Sequence, residues 1–475
     1  MNNKFTYNFV TSLLCLFILI CAVSCAESAI NQETQASVIT DIKTQDTQTD
    51  TQIFESDTNE DTDTPIQEVI EITEIPVVNI FTDDGGSVTS KSEYKHGSMT
   101  ILCDENSGFG NCETADVGIQ IRGRGNASWN HFPKKSYRIK LDESFGLLGL
   151  KKDRDWVLVS NYADKTLMRN IIAHEMAKKL TYLEYTPTHI PVELYLNGEY
   201  MGVYTLSEKI EFGGGKLEYD ADASLENTSY LLEVGWDFND EMIYGQNYFD
   251  IDYIERIVIK EPEFSSKYTP SCNYIINYMK KAEKAVKSRK GYEEYIDVDS
   301  LIDYLIITEF TNNTECVFYR SLYMYKPADE TLKFGPVWDF DMAFGNHTSD
   351  IKDYNGWCST DNNFSFLGKE GTTWYHFLFK DPEFTSKFAA RWDNVKDVLL
   401  NTALDTLESQ YKAIHNAQER NFTLWDILNK KVGAGKVDHR TYNTFDLQVE
   451  YLRDFINDRY NWIDENISEF RLQGT

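Results

Sequence analysis

The composition of this chain breaks near residue 75, and the break decides which part of it can fold. From Ala26 to about Glu74, Thr, Gln, Asp and Glu dominate, with Lys43 the only basic residue and Phe54 the only aromatic one. Such a segment buries too little apolar surface to offset an ordering cost of ~1–2 kcal/mol per residue. Residues 25–75 therefore read as an acidic, disordered stalk that acts as a spacer. From about Pro76 to Leu472 the chain is rich in Tyr, Phe and Trp and long enough for a sizeable core. It has no Pro/Gly/Ser linker and no internal repeat, so one elaborated domain over 76–472 is expected rather than two or three.

Upstream, Lys4 supplies a thin positive charge, and Phe9 to Val23 are almost entirely apolar. That run is short for a membrane span of ~20 residues and suits the apolar region of a signal peptide. It ends in Ala22-Val23-Ser24-Cys25, which resembles a bacterial lipobox. The resemblance implies that residues 1–24 are removed and that Cys25 carries a lipid. The mature protein is then exported and anchored to the outer face of the cell membrane, or to the cell surface.

The net charge of −30 argues against nucleic acid, whose phosphates would repel the chain. It argues equally against a broad electrostatic contact with anionic lipid heads. Of eight cysteines, Cys15 and Cys21 leave with the signal and Cys25 is the anchor. Cys103 and Cys112 can close a short loop outside the cell. With Cys272, Cys316 and Cys358 the remaining number is odd, so at least one thiol stays free or pairs between chains. There is no CxxC and no Cys/His cluster, which disfavours zinc.

Periodicity places strands at Val77–Ile80, Met99–Leu102, 117–124, 136–141 and 155–160. In the 136–141 strand, Tyr137, Ile139 and Leu141 face one way and Ser136, Arg138 and Lys140 the other. A helix is predicted over Thr166–Leu180, with Met168, Ile172, Met176 and Leu180 on one face and charges opposite. Asn197-Gly198 signals a type I′ hairpin between strands 190–196 and 200–210. Strands at 230–234 and 257–260 and helices at 271–290 and 299–311 follow. A hairpin of 323–325 with 334–338 comes next, then helices at 382–400, 402–420 and 446–468. Strands first and helices later indicate an α+β fold.

Two stretches carry candidate chemistry. Ile121-Arg122-Gly123-Arg124-Gly125-Asn126-Ala127-Ser128-Trp129, with Lys134-Lys135-Ser136-Tyr137-Arg138-Ile139-Lys140-Leu141, packs six basic side chains into a short span of an acidic chain. Glycines allow close backbone approach, and Arg and Lys grip phosphate oxygens. The same residues also suit a tight turn and a solvated strand face. The second stretch runs Phe334-Gly335-Pro336-Val337-Trp338-Asp339-Phe340-Asp341-Met342-Ala343-Phe344-Gly345-Asn346. On a simple strand, Asp339 and Asp341 would share a face. Paired carboxylates among apolar groups suit a hard cation such as Mg²⁺, or acid–base work. Capping or turn formation by Asp is the plainer alternative.

Together with Asp155-Trp156-Val157-Leu158, Asn161-Tyr162-Ala163-Asp164-Lys165, Arg169-Asn170 and Gly202-Val203-Tyr204-Thr205-Leu206-Ser207-Glu208-Lys209, these stretches resemble the CotH kinase family. That family is named for a spore-coat protein and is common on bacterial surfaces. The resemblance implies an atypical protein-kinase-like fold, with a strand-rich N-terminal part and a helical C-terminal part. It implies phosphate transfer from ATP to Ser/Thr of exported or surface proteins. Asp339, and after it Asp341, would hold Mg²⁺ or Mn²⁺ on the ATP phosphates, with Asn313 as a further ligand. Lys140, Lys135 or Arg138 would hold phosphate oxygens, Arg124 would assist, and Glu208 would orient a lysine. The family places an Asp, the base for the incoming hydroxyl, just after the 299–311 helix. Here Thr311-Asn312-Asn313-Thr314-Glu315-Cys316 puts Glu315 at that position, one methylene longer. Misplacement by ~1 Å can cost ~10²-fold in rate. A catalytically silent kinase-like surface scaffold is therefore the alternative function. A carbohydrate-active enzyme built on Asp339 and Asp341 is a weaker third reading.

Overall fold

The computed structural model describes residues 75–103, 114, 116–235, 242–346, 354–360, 372–432 and 439–471. The signal peptide, Cys25, Cys112 and the stalk up to residue 74 lie outside the described residues. Ile75 is buried in the helical core.

Alternating strands build a closed barrel from β1 (Val77–Thr82), β2 (Lys95–Leu102), β3 (Val117–Arg124), β4 (Ser136–Phe145), β5 (Asp153–Val159), β6 (His189–Leu196) and β7 (Glu199–Glu208), in the order β1-β2-β3-β4-β5-β7-β6. Parallel pairing of β6 with β1 closes it. Asn197 and Gly198 take φ of 52° and 81° in the β6–β7 turn, as the I′ reading requires. Ile119, Ile121, Tyr137, Ile139, Leu141, Trp156 and Leu158 fill the interior. The period of two therefore turns Arg138, Lys140 and Asp155 outward.

A second, antiparallel sheet runs β12-β11-β8-β10-β9, from β8 (Tyr230–Val234), β9 (Tyr248–Phe249), β10 (Ile257–Glu261), β11 (Leu322–Lys326) and β12 (Lys333–Phe334). Val157 on the outer face of β5 packs with Leu231, Tyr323, Tyr325 and Trp338, which joins the barrel to this sheet. The helices are α1 (Ala127–His131), α2 (Arg169–Ala177), α3 (Pro270–Ser288), α4 (Val298–Thr311), α5 (Trp374–Leu378), α6 (Pro382–Leu424) and α7 (Phe445–Asn466). α2 to α7 share the largest core with the second sheet. α4 is capped by Asp297, which accepts from the Ser300 N–H at 2.8 Å, and ends at Asn312 in the left-handed region.

The mixed α+β architecture, strands first and helices later, is as expected, but three local readings need correction. The two helices predicted at 382–400 and 402–420 are one helix, α6, whose buried residues continue from Phe384 to Phe422 without a break. Its last turns dock on the barrel. Arg420 pairs with Glu193 at 2.9 Å, and Asn421 Oδ1 accepts from the Val203 N–H at 3.1 Å. The helix predicted at 166–180 spans only Arg169–Ala177, and part of its polar face is turned inward: Arg169, Asn170 and His174 are all buried. Finally, residues 335–338 do not extend β12. The chain leaves the sheet after Phe334, and Asp339 takes φ of 70°. Asp339 and Asp341 therefore do not share a strand face. Cys103 is disulfide-bonded to a partner outside the described residues, while Cys272, Cys316 and Cys358 are buried free thiols.

Candidate active site

The loop from Gly335 to Asn346 has little hydrogen bonding of its own, and buried backbone polar groups must find partners. The buried polar residues of α2 supply them. Asn170 Oδ1 accepts from the Phe340 N–H at 2.7 Å, Arg169 Nε donates to the Ala343 carbonyl at 3.2 Å, and His174 Nε2 lies 3.2 Å from the Val337 carbonyl. Arg169 is held in turn by Asp164, whose Oδ1 accepts from Nη1 at 2.5 Å. Asn346 Nδ2 ties the loop end back on itself at the Asp341 carbonyl, 2.6 Å away. What reads in sequence as the charged face of a helix is the internal scaffold of the WDFD loop.

The turn after α4 forms the facing wall. Asn313 Nδ2 donates to the Asp339 carbonyl at 3.0 Å, while its Oδ1 accepts from the Glu315 N–H at 3.2 Å. Ser321 Oγ donates to Asp339 Oδ2 at 2.9 Å. Arg320 Nη1 lies 3.5 Å from Glu315 Oε1, and its guanidinium rests 4.2 Å over the Tyr319 ring. From the barrel, Arg124 at the end of β3 reaches over the Trp338 ring, 5.3 Å from its centroid. It feels the charge of Asp339 and Glu233.

Electrostatically the cluster is unbalanced. Asp341 is half-buried as a residue, but the surrounding protein strips water from its carboxyl. That desolvation, followed by the negative charges of Asp339, Glu315 and Asp164, pushes its pKa well above the ordinary carboxylate range. The nearby Cys316 thiol is likewise pushed up, first by burial and then by the charge of Asp339. Among the described residues, no group of three or more His, Cys, Asp or Glu side chains forms a ready metal cage. Mg²⁺ commonly uses only one or two carboxylates and completes its shell with water and substrate phosphate. Asp339 and Asp341 offer hard oxygen donors of the kind a divalent cation takes.

Of the residues singled out in the sequence, Arg124, Asn313, Glu315, Asp339 and Asp341 converge here. Arg138 stands beside Arg124 but is bound to Asp155, with its Nε 2.9 Å from Oδ1. Lys140 is outward-facing and paired in register with Asp155, one step farther along β4. Lys135 is turned away, its Nζ donating to the Trp129 carbonyl at 2.5 Å. Glu208 accepts from the Thr188 N–H at 2.6 Å; its electrostatic lysine neighbours are Lys178 and Lys216 rather than the 134–140 group. Sequence reasoning assigned no role to Asp164, Arg169, Asn170, His174, Arg320 or Ser321. Asp164, Arg169 and Asn170 stood inside the quoted motifs, and an Asp and an Arg five apart were the available signal.

The fold and site thus define a mixed α+β protein in which a basic barrel edge faces a carboxylate-bearing loop. The family described as CotH kinase protein matches residues 119–463, from β3 into α7, and the chain belongs to that family. No curated protein matches it.

Proposed function

We propose that this chain is an ATP- and divalent-metal-dependent protein kinase acting on Ser or Thr hydroxyls of exported or surface proteins. The observation that carries the reading is the gathering of Asp339, Asp341 and Glu315, with Arg124 near Asp339 and Arg320 beside Glu315. The barrel with the second sheet would serve as the nucleotide-side lobe of a kinase-like fold and the helices as the other. Mg²⁺ or Mn²⁺, when bound to Asp339 and Asp341, would neutralise phosphate charge. Asn313 acts in this reading mainly as a strut between the Asp339 and Glu315 backbones.

Glu315 accepts the proton of the acceptor hydroxyl. The oxygen forms a bond to the γ-phosphorus as the bond to the bridging oxygen breaks, and ADP leaves. Arg124 stabilises the phosphate oxygens, with Arg138 and Lys140 behind it on the same strand face. In such reactions protein groups chiefly position and neutralise. Arg320 steadies the longer Glu315 side chain. A lipid on Cys25 and the 25–75 stalk would hold the domain outside the membrane.

The test is label transfer. Purified full-length protein with labelled ATP, Mg²⁺ or Mn²⁺ and a Ser-rich acceptor should label the acceptor or itself, and Asp339→Ala should abolish this. ATP-dependent thermal stabilisation without transfer would locate the defect at Glu315, where Glu315→Asp should restore turnover. Neither transfer nor stabilisation would leave a surface scaffold.

A further inference from the structure

The solvent face of α3 is basic, in a chain whose net charge is −30. Six of the eleven residues from Lys280 to Lys290 are Lys or Arg, and Glu283 is the one acid among them. Glu283 is committed to the interior. It accepts from the Asp252 and Tyr253 N–H groups at 2.8 and 2.9 Å and from Trp374 Nε1 at 3.2 Å.

Part of this positive charge has a structural use. Lys287, Arg289 and Lys290 lie at the C-terminal end of the helix, where cations offset the helix dipole. Lys287 also rests over the Tyr253 ring, 5.2 Å from its centroid, and Arg289 Nη1 donates to the Lys380 carbonyl at 3.1 Å. No such use accounts for Lys280, Lys281 and Lys284. They are exposed, about one to two turns before the helix ends, and among the described residues no carboxylate pairs with them.

Their spacing sets them against one another. Lys280 and Lys284 stand four apart, and Lys284 stands three from both Lys281 and Lys287. Residues so spaced are neighbours on a helix surface, and like charges there destabilise the helix. An added anion relieves every one of these pairs.

The ridge borders a hollow of about 590 Å³, whose lining includes Lys280, Lys284 and Lys287 with Tyr244, Asp250 and Asp252. Asp250 Oδ1 accepts from the Arg256 N–H at 2.7 Å. Asp252 is then the one acid of the lining without a hydrogen-bond partner among the described residues, against three lysines. Lysine ammonium groups are point charges on flexible stems. They suit carboxylates strung along a bending chain, and a hollow admits such a chain where a flat lipid surface would only span it.

We propose that this ridge and hollow dock an acidic segment of a partner polypeptide, whose Asp and Glu side chains pair with Lys280, Lys281 and Lys284. The partner replaces the repulsion along the helix with ion pairs across an interface.

Fluorescence anisotropy of a labelled peptide of alternating Glu and Gly, titrated with the full-length protein, tests this against the matching Gln–Gly peptide and vesicles of phosphatidylglycerol. The Glu peptide is expected to bind about tenfold more tightly than the Gln peptide, as several exposed ion pairs together allow, and to be released by salt. Vesicles should not bind. Changing Lys280, Lys281 and Lys284 together to Gln should remove that tenfold advantage, with a melting midpoint no lower than the parent's because like-charge pairs are lost. The same change at Lys151, Lys152 and Lys179, exposed and outside α3, alters net charge equally and should weaken the peptide by less than about twofold. Asp339→Ala should leave binding unchanged, so the result stands whether or not phosphate transfer is found. Equal binding of the two peptides, equal weakening by the two triple variants, or an α3 variant that loses vesicle binding but keeps peptide binding would overturn the assignment.

Discussion

Two carboxylates in the helical half have opposite surroundings. Glu309 on α4 is buried and fully matched. It accepts from the Cys358 and Ser359 N–H groups at 2.9 and 3.0 Å and pairs with Arg459 at 2.9 Å. Arg459 spends its other donors on the carbonyls of Glu309, Tyr354 and Gly356. Asp341, by contrast, faces Asp339, Glu315 and Asp164. The first arrangement makes one packed state; the second gathers like charges that a proton or a cation relieves. The two acids are thus told apart by their partners rather than by burial.

Breaking the matched site should have the largest effect. Arg459→Met strands Glu309 and should cost about 3–5 kcal/mol in urea unfolding; a loss below about 1 kcal/mol would mean that the network is not structural. Acid pH should act next. Burial lowers the His174 pKa to about 4, so between pH 6.5 and 4 the unfolded chain takes up the proton first. Stability then falls as pH falls, by up to about 1.4 kcal/mol per unit. Asp341 acts with the opposite sign: its raised pKa means that the folded state holds the proton more tightly, so its share of stability is lost as pH rises from 3.8 through its folded value. Unfolding midpoints across this range should therefore rise more steeply with pH in Asp341→Asn than in the parent.

At neutral pH without metal, Asp341→Asn should raise stability by on the order of 1 kcal/mol and abolish the thermal stabilisation expected when Mg²⁺ is added to the parent. A destabilised variant that still responds to Mg²⁺ would remove Asp341 from the metal site. The smallest effect is expected at the barrel face. Arg138→Gln should cost about 0.5–1 kcal/mol, because the Arg138–Asp155 pair is partly solvated, while lowering ATP affinity by more than that loss of stability explains.

Much of the barrel was legible because its strands keep a strict period of two against one interior, as at Tyr137, Ile139 and Leu141. The Asn197-Gly198 turn was legible for the same local reason. α2 was misread because a helical period cannot distinguish charges turned to water from charges turned into a loop. The break placed near residue 401 was misread because α6 changes its partners along its length rather than ending. In the candidate site, Asp339, Asp341, Glu315 and Arg124 were found from residue type and motif. Their supports were not, since Asn170 and His174 act on backbone groups more than 160 residues away.

By itself the sequence determined most of the barrel strands, the family and the residue types that chemistry would need. Those follow from composition, periodicity and motif order, which are properties of neighbours along the chain. Tertiary structure alone decided that Arg169, Asn170 and His174 hold the WDFD loop, that Arg124 approaches Asp339, and that Glu309 meets Arg459 in a buried pair. Each of these depends on which distant groups share a desolvated space, and no local pattern encodes that.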